Sequence, residues 1–208
     1  EERERRGNIG MVSQSGQIVL GGLDSPGMGF SHVISSGNSC NVKVEDYLDF
    51  LVDDEDTKVV AAYMEGVTKP EKLVAAFQKA ALKKKPVVVL KTGRSAKSQE
   101  LAKSHTGSLS GADKVLRAVF KRYGVVEAGD LEELMSLAAA FSWLEELPKG
   151  ERCVFMNVSG GEAGVMADLS EEYGIQLAEM QQETKAYLKT LVPDYGSVNN
   201  PFDMTAGI

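Results

Sequence analysis

Apolar runs bounded by glycine alternate with stretches of helical period along most of the chain. This alternation is typical of a doubly wound parallel sheet covered by helices. In the first part of the chain it predicts strands over 8–12, 32–35, 58–64, 87–90 and 125–126. It predicts helices that start near Ser15 and run over 44–52, 70–82 and 112–123. The run from Lys58 to Met64 is nearly continuous in apolar residues, as expected for a strand covered on both faces.

The same alternation restarts after a long apolar helix predicted over 131–147. A strand over 153–158 leads into the turn Ser159-Gly160-Gly161, and a helix over 163–173, a strand over 175–177 and a helix over 182–191 follow. We therefore predict an α/β fold of two flavodoxin-like parallel-sheet layer sandwiches, the second cut short. Their ranges are 1–128 and 129–208, and the linking helix opens the second. Because the chain begins with EERERR and stops soon after NPFDM, we expect a piece of a longer polypeptide.

Composition narrows the class of protein. The 208 residues are 43% hydrophobic and 25% charged, which is ordinary for a globular protein. A net charge of −7 argues against nucleic acid as the main partner. Cys40 and Cys153 lie far apart in no metal-ligand spacing, so we expect buried or loop thiols in a reducing compartment. Since no apolar run is long enough to cross a bilayer, we expect a cytoplasmic protein without a membrane partner.

A polar loop after the fourth strand contains His105 within SHTGSLSG. Ligands of open α/β sheets bind outside the carboxyl ends of the strands, where this loop begins. Histidine is a competent covalent catalyst near neutral pH, and small hydroxyl and backbone donors surround it here. The alternative, a loop histidine that only bonds its neighbours, stays open on spacing alone. His32, within a strand, is assigned no chemistry.

Two strand–turn–helix junctions are candidate phosphate sites, because the first N–H groups of a helix bind anions. The first comprises Ser13, Gln14, Ser15 and Gly16, where Ser15 could equally be a plain helix cap. The second is the turn with Gly160 and Gly161, which could be an ordinary tight turn.

Glu65 ends the third strand at the same carboxyl edge. A carboxylate there could accept the Nδ1 proton of an imidazole and leave Nε2 nucleophilic, or it could be an exposed loop carboxylate. The sequence has neither a Walker A signature nor a GxGxxG fingerprint after a strand, and no metal site is predicted.

These pieces in this order resemble the NDP-forming acyl-CoA synthetases, relatives of succinyl-CoA synthetase. The stretches that carry the resemblance span nearly the whole chain: GNIGMVSQSGQ, SSGNSCNVKVEDYLDFLVDDEDTKVVAAYMEG, KPVVVLKTGRSAKSQELAKSHTGSLSG, VSGGEAGVMADL and NNPFD. The resemblance implies that His105 accepts phosphate and that Glu65 orients it. Ser13 to Gly16 and Gly160 with Gly161 would then be two opposing phosphate cradles. Asn38, Asn200, Pro201 and Asp203 match family motifs without an assigned role.

The family reaction converts acyl-CoA, phosphate and ADP into carboxylate, CoA and ATP, through an acyl phosphate and a phosphohistidine. The resemblance implies CoA and ATP or ADP with Mg²⁺ in the complete enzyme, none of them bound by the motifs of this chain alone. It also implies a CoA-binding Rossmann domain, an ATP-grasp domain or subunit and a small carboxylic acid substrate. It leaves open the acyl group, ADP versus GDP, and association of identical subunits.

Two other functions stay open. Ligase-like regions of this family also serve regulation in protein lysine acetyltransferases, where the histidine is typically lost. A module that binds acyl-CoA or another small ligand without chemistry would keep the fold alone. Phosphoryl transfer onto His105 distinguishes the enzyme from both.

Overall fold

The computed structural model describes residues 6–93, 97–98, 113–146 and 148–205. The chain divides into two compact units, Glu1–Glu145 and Glu146–Ile208. His105 and most of its polar loop lie outside the described residues.

The first unit is built on a parallel sheet in the order β2-β1-β3-β4-β5. Its strands are β1 (Arg6–Ser13), β2 (Phe30–Ser35), β3 (Val59–Met64), β4 (Val87–Lys91) and β5 (Val126–Ala128). This is the flavodoxin-like strand order, in which the chain reverses its direction of winding between β1 and β3. All six residues of β3 are buried, as the apolar run predicted. The predicted α/β class is confirmed.

Helices cover both faces of this sheet. They are α1 (Gly16–Leu23), α2 (Val44–Asp53), α3 (Pro70–Lys83), α4 (Asp113–Tyr123) and α5 (Leu131–Trp143). Helices α2, α3 and α4 share one core cluster with alternate residues of the strands, centred on Leu48, Phe77 and Phe120. Leu134, Met135 and Ala138 of α5 pack on the opposite face against Met11 and its neighbours, with α1 beside them. The first unit is therefore a three-layer sandwich.

Helix α5 belongs by its packing to the first unit. From the sequence it was predicted to open the second domain, which was expected to begin at residue 129. In the structure Leu134 and Ala138 are fully buried against the first sheet, and the unit extends to Glu145. The helix covers a sheet face that would otherwise expose apolar side chains, so the division of the structure lies after α5 and not before it.

The second unit has two helices, α6 (Gly160–Glu172) and α7 (Gln182–Lys189), among its described residues. Its strands are β6 (Arg152–Cys153), β7 (Met156–Asn157), β8 (Gln176–Leu177) and β9 (Phe202–Asp203). They form two parallel pairs, β6 with β8 and β7 with β9. The single strand predicted over 153–158 is thus two short strands, because the chain changes pairing partner near Phe155, whose N–H bonds the Asn200 side chain.

Two further expectations concern cysteines and membranes. Cys40 and Cys153 are free thiols, and both are exposed, so neither is a buried thiol. Within the part of the chain that the structure describes, no helix is long and apolar enough to cross a bilayer.

Candidate functional site

The carboxyl ends of β1, β3 and β4 place the first group of predicted site residues at one edge of the sheet. Ser13 ends β1, Glu65 follows β3, Lys91 ends β4, and Thr92 follows it. Because β1 and β3 are the strands between which the winding reverses, this edge is where an open α/β sheet forms its ligand crevice.

Ser13 and Ser15 form a local turn before α1. The Ser13 side chain is fully buried, and its Oγ accepts from the Ser15 N–H (3.0 Å) and donates to the Ser15 carbonyl (2.7 Å). Ser15 is the cap residue of α1, but its own hydroxyl makes no capping bond. The Ser13 hydroxyl thus shapes the turn, and the Ser15 hydroxyl stands at the helix N-terminus, where an anion is favoured.

Gln14 connects the first strand to Glu65. Its Oε1 accepts from the N–H of Glu65 (2.6 Å) and from the N–H of Gly66 (3.1 Å). The Gln14 N–H in turn donates to the Tyr63 carbonyl (3.2 Å). The side chain that the sequence predicts as a phosphate ligand therefore bonds the backbone that carries Glu65, and Glu65 itself is half-buried.

Lys91 approaches Glu65 from the other side. It is the last residue of β4 and only 7% exposed. Its Nζ donates to the Glu65 carbonyl (2.8 Å) and to the Thr92 carbonyl. The main chain of Glu65 is thus held on two sides. Its N–H donates to the side chain of Gln14, just after β1, and its C=O accepts from the side chain of Lys91, at the end of β4.

The Glu65 carboxylate is contacted by Tyr63. The phenol donates to Oε1 at 3.3 Å and lies 3.2 Å from the Thr92 hydroxyl. Burial raises the pKa of Tyr63, and the Glu65 carboxylate raises it further against the lowering effect of Thr92. The phenol therefore remains protonated at neutral pH, and a hydrogen-bond donor faces Glu65.

Three residues of this edge were not predicted from the sequence: Lys91, Tyr63 and Thr92. One signal was present for Lys91, because a charged residue closes the run VVVLK, whose five residues are all buried. His32, for which no chemistry was predicted, lies on β2. Its Nδ1 is 3.4 Å from Asp54 Oδ2, and its ring is edge-on to Phe50.

The second predicted cradle lies at the start of α6. Ser159 caps the helix, and its Oγ accepts from the Glu162 N–H (3.3 Å). An added Cβ at Gly160 would lie 3.0 Å from Asp203 Oδ2, so a carboxylate already approaches this helix N-terminus. Gly161 and Asn157 line an open cavity of about 550 Å³ beside it. A phosphate at this turn would meet the Asp203 charge as well as the helix dipole.

Asn200, which the sequence left without a role, bonds three backbone groups. Its Nδ2 donates to the carbonyls of Cys153 (2.8 Å) and Ala178 (2.9 Å), and its Oδ1 accepts from the Phe155 N–H (3.1 Å). The bond to Pro201 is cis. Asn38 lies in the turn after β2, next to Gly37 with its positive φ of 51°.

Among the described residues, no group of three or more His, Cys, Asp or Glu side chains lies close enough to hold a metal ion.

The succinyl-CoA ligase like flavodoxin domain family matches residues 6–141, which is the first unit with nearly all of α5. The chain belongs to this family. It is also similar to subunit alpha of acetate–CoA ligase [ADP-forming] II from Pyrococcus furiosus, at 36% identity over 205 residues. That match covers 97% of this chain and 44% of the relative.

A trans-feruloyl-CoA synthase from an unknown prokaryotic organism is 35% identical, covering 95% of this chain and 28% of that protein. A solved structure of acetyl-coenzyme A synthetase 1 from Ca. Korarchaeum cryptofilum, in complex with phosphate and ADP, is similar with a TM-score of 0.80 and 30% identity. It covers 96% of this chain and 44% of that one. This chain thus spans less than half the length of each of these relatives.

Proposed function

We propose that the chain is part of an NDP-forming acyl-CoA synthetase in which His105 carries a phosphoryl group. The observation that carries the proposal is the position of Glu65. Its carboxylate is held at the ligand edge of the sheet beside β4, the strand that precedes His105 in the sequence. The activities named for the relatives, ADP-forming acetate–CoA ligase among them, support this assignment.

In the proposed reaction Glu65 accepts the Nδ1–H of His105, which leaves the Nε2 lone pair free. Acyl-CoA and phosphate first give acyl phosphate and free CoA. Nε2 then forms a bond to phosphorus while the P–O bond to the acyl group breaks, and the carboxylate leaves. ADP finally takes the phosphoryl group from the histidine and becomes ATP.

The residues around the Ser13–Gly16 turn divide into two roles in this proposal. Ser15 and Gly16, at the start of α1, bind phosphoryl oxygens through the hydroxyl and the free backbone N–H groups of the helix N-terminus. Ser13 and Gln14 hold the turn and Glu65 in place. Gly160 and Gly161 supply the second cradle, next to the carboxylate of Asp203.

Other parts of the complete protein supply the remaining chemistry in this proposal. CoA would bind to a Rossmann domain, and nucleotide with Mg²⁺ to an ATP-grasp domain or subunit. The substrate is a small carboxylic acid, and its identity stays open because the relatives named above act on groups as different as acetate and ferulate. We expect a cytoplasmic protein, in agreement with its free thiols, and association of identical subunits stays open.

The test is phosphorylation of the complete protein by labelled ATP with Mg²⁺. The sequence has two histidines, so His32→Ala is a matched control for His105→Ala. We expect an acid-labile, base-stable phosphate in wild type and His32→Ala, discharged by a carboxylate plus CoA, and none in His105→Ala. A protein that binds nucleotide or acyl-CoA but never becomes labelled would contradict the proposal and favour a regulatory or binding role.

Glu65→Gln tests the orienting carboxylate. The neutral amide lacks the negative charge with which Glu65 would bind the imidazole N–H. We therefore expect phosphorylation to slow by about 10²–10⁴-fold, the range for a positioned proton-handling group. The rate is measured by rapid quench at saturating ATP. A near wild-type rate would remove Glu65 from the mechanism while leaving the role of His105 intact.

A further inference from the structure

We infer that Lys91 is a positioning residue of this site, which acts by holding Glu65. The inference rests on the proposed function above and adds a residue to it. Lys91 ends a fully buried strand and is 7% exposed. Burying an ammonium group is costly unless its N–H groups are bonded, so a buried lysine needs fixed acceptors. Two of its acceptors are the carbonyl oxygens of Glu65 and Thr92.

These bonds complete a clamp on Glu65, which we define as Gln14, Lys91 and Tyr63. Gln14 Oε1 fixes the Glu65 N–H at 2.6 Å, and Lys91 Nζ fixes the Glu65 C=O at 2.8 Å. With both sides of the residue held, the Cα–Cβ direction is set, and Tyr63 then contacts the carboxylate. The clamp draws one residue each from the ends of β1, β3 and β4.

The same ammonium lies beside Gly93, which follows β4. Gly93 has a φ of 79°, and an added Cβ there would lie 3.4 Å from Lys91 Nζ and 3.6 Å from the Glu65 carbonyl. The left-handed conformation is strained for residues other than glycine. Lys91 thus contacts the main chain of Glu65 and also lies beside Gly93, whose backbone conformation favours glycine.

Lys85 offers a matched control at the other end of the same strand. Its Nζ also donates to two backbone carbonyls, those of Leu51 (3.1 Å) and Asp54 (2.6 Å). It precedes β4, so it lies roughly 20 Å from Lys91 at about 3.3 Å per strand residue. The two lysines share their bonding pattern but lie at opposite edges of the sheet.

The experiment compares Lys91→Met and Lys85→Met in the complete protein. We expect both variants to lower the melting temperature. Only Lys91→Met is expected to slow phosphohistidine formation, by about 10- to 100-fold, as for a catalytic group misplaced by about 1 Å. In a Glu65→Gln background, Lys91→Met should cause no further slowing. If Lys91 acts only by positioning the Glu65 carboxylate, it has nothing to contribute once that carboxylate is gone.

Gln14→Met provides a second variant should Lys91→Met not fold. It releases the other side of Glu65 without removing a buried charge, and we expect the same slowing and the same loss of effect in Glu65→Gln. The inference is overturned by a wild-type rate in Lys91→Met, by equal slowing in Lys85→Met, or by effects that multiply with Glu65→Gln. Absence of label in wild type would instead overturn the proposed function, and the role of Lys91 would fall with it.

Discussion

Tyr63 keeps a neutral donor beside the Glu65 carboxylate. Its phenol donates to Glu65 Oε1 and is largely buried, and that burial raises its pKa above the ordinary value near 10. A deprotonated phenol would repel the carboxylate, and the raised pKa moves that deprotonation further above the physiological pH range.

Tyr63→Phe removes this donor and keeps the ring. We expect a loss of about 1 kcal/mol of folding stability, the net value of one hydrogen bond, and a slowing of phosphorylation smaller than that of Glu65→Gln. Chemical denaturation and the labelling rate measure the two effects. A slowing as large as that of Glu65→Gln would mean that the phenol itself takes part in the reaction.

Asn200→Ala tests the stability of the second unit. The change removes three bonds to backbone groups near β6, β7 and β8 and is expected to cost about 1–3 kcal/mol. Asn200→Asp keeps an acceptor for Phe155 but loses both donors, so it should also destabilise the unit. Hydrogen exchange of amides in residues 152–203 would detect either change, and unchanged exchange would contradict this structural role.

For individual residues, the sequence predicted their position at the edge of the sheet better than it predicted the contacts of their side chains. Glu65 lies where its place after an apolar run predicted. Gln14 was predicted as a phosphate ligand, yet its side chain bonds the backbone of Glu65 and Gly66. Such a contact joins residues 51 and 52 positions apart and leaves no local pattern. The contact of Lys91 with Glu65 spans 26 positions, so the role of Lys91 was missed for the same reason.

Helices α2 and α3 are joined by a row of ion pairs along their exposed sides. Asp46 contacts Lys69 and Lys72, and Asp53 contacts Lys79 (2.7 Å) and Lys83 (2.6 Å). The hydrogen bond to Lys69, then that to Lys72, holds the pKa of Asp46 far below its usual range. The bonds from Lys79 and Lys83 lower the pKa of Asp53 to about 2.

These pairs predict a stability change in acid. A carboxylate whose pKa is lowered on folding stabilises the protein above its unfolded pKa and loses that contribution as pH falls through the folded value. For Asp53 the window runs from about pH 4 down to about pH 2. Melting temperatures should therefore fall less steeply over this window in Asp53→Asn than in wild type. Because the pairs are solvent-exposed, added salt should reduce the difference, and identical slopes would show that the pairs contribute nothing.

At the element scale, the buried strand β3 was predictable, whereas the division of residues 153–158 into two short strands was not. The predicted strand over 58–64 matches β3 to within one residue, since continuous apolar sequence specifies a strand covered on both faces. The segment over 153–158 has similar apolar content but pairs with β8 and then with β9. The partner of a strand depends on distant segments, which periodicity does not report.

Across the whole chain, the limits of the first unit follow from packing of α5. Leu134 and Met135 are buried against the sheet face formed by Met11 and Ala61, and each such side chain contributes about 1.5–3 kcal/mol by burial. The family match likewise extends through residue 141.

We therefore expect a fragment of residues 1–145 to unfold cooperatively and a fragment of residues 1–128 to lack a stable fold. Thermal unfolding followed by circular dichroism compares the two. Binding of a hydrophobic dye to the shorter fragment would report the uncovered sheet face. Equal stability of the two fragments would place α5 outside the first unit.

The clamp on Glu65 also determines when the entropic cost of ordering this residue arises. A loop carboxylate that had to find its orientation in each catalytic cycle would lose conformational freedom at every turnover. Here Gln14 and Lys91 fix its main chain from two neighbouring strands. The ordering is thus completed once, when the sheet folds, and in the proposed reaction it would add nothing to the barrier of each later phosphoryl transfer.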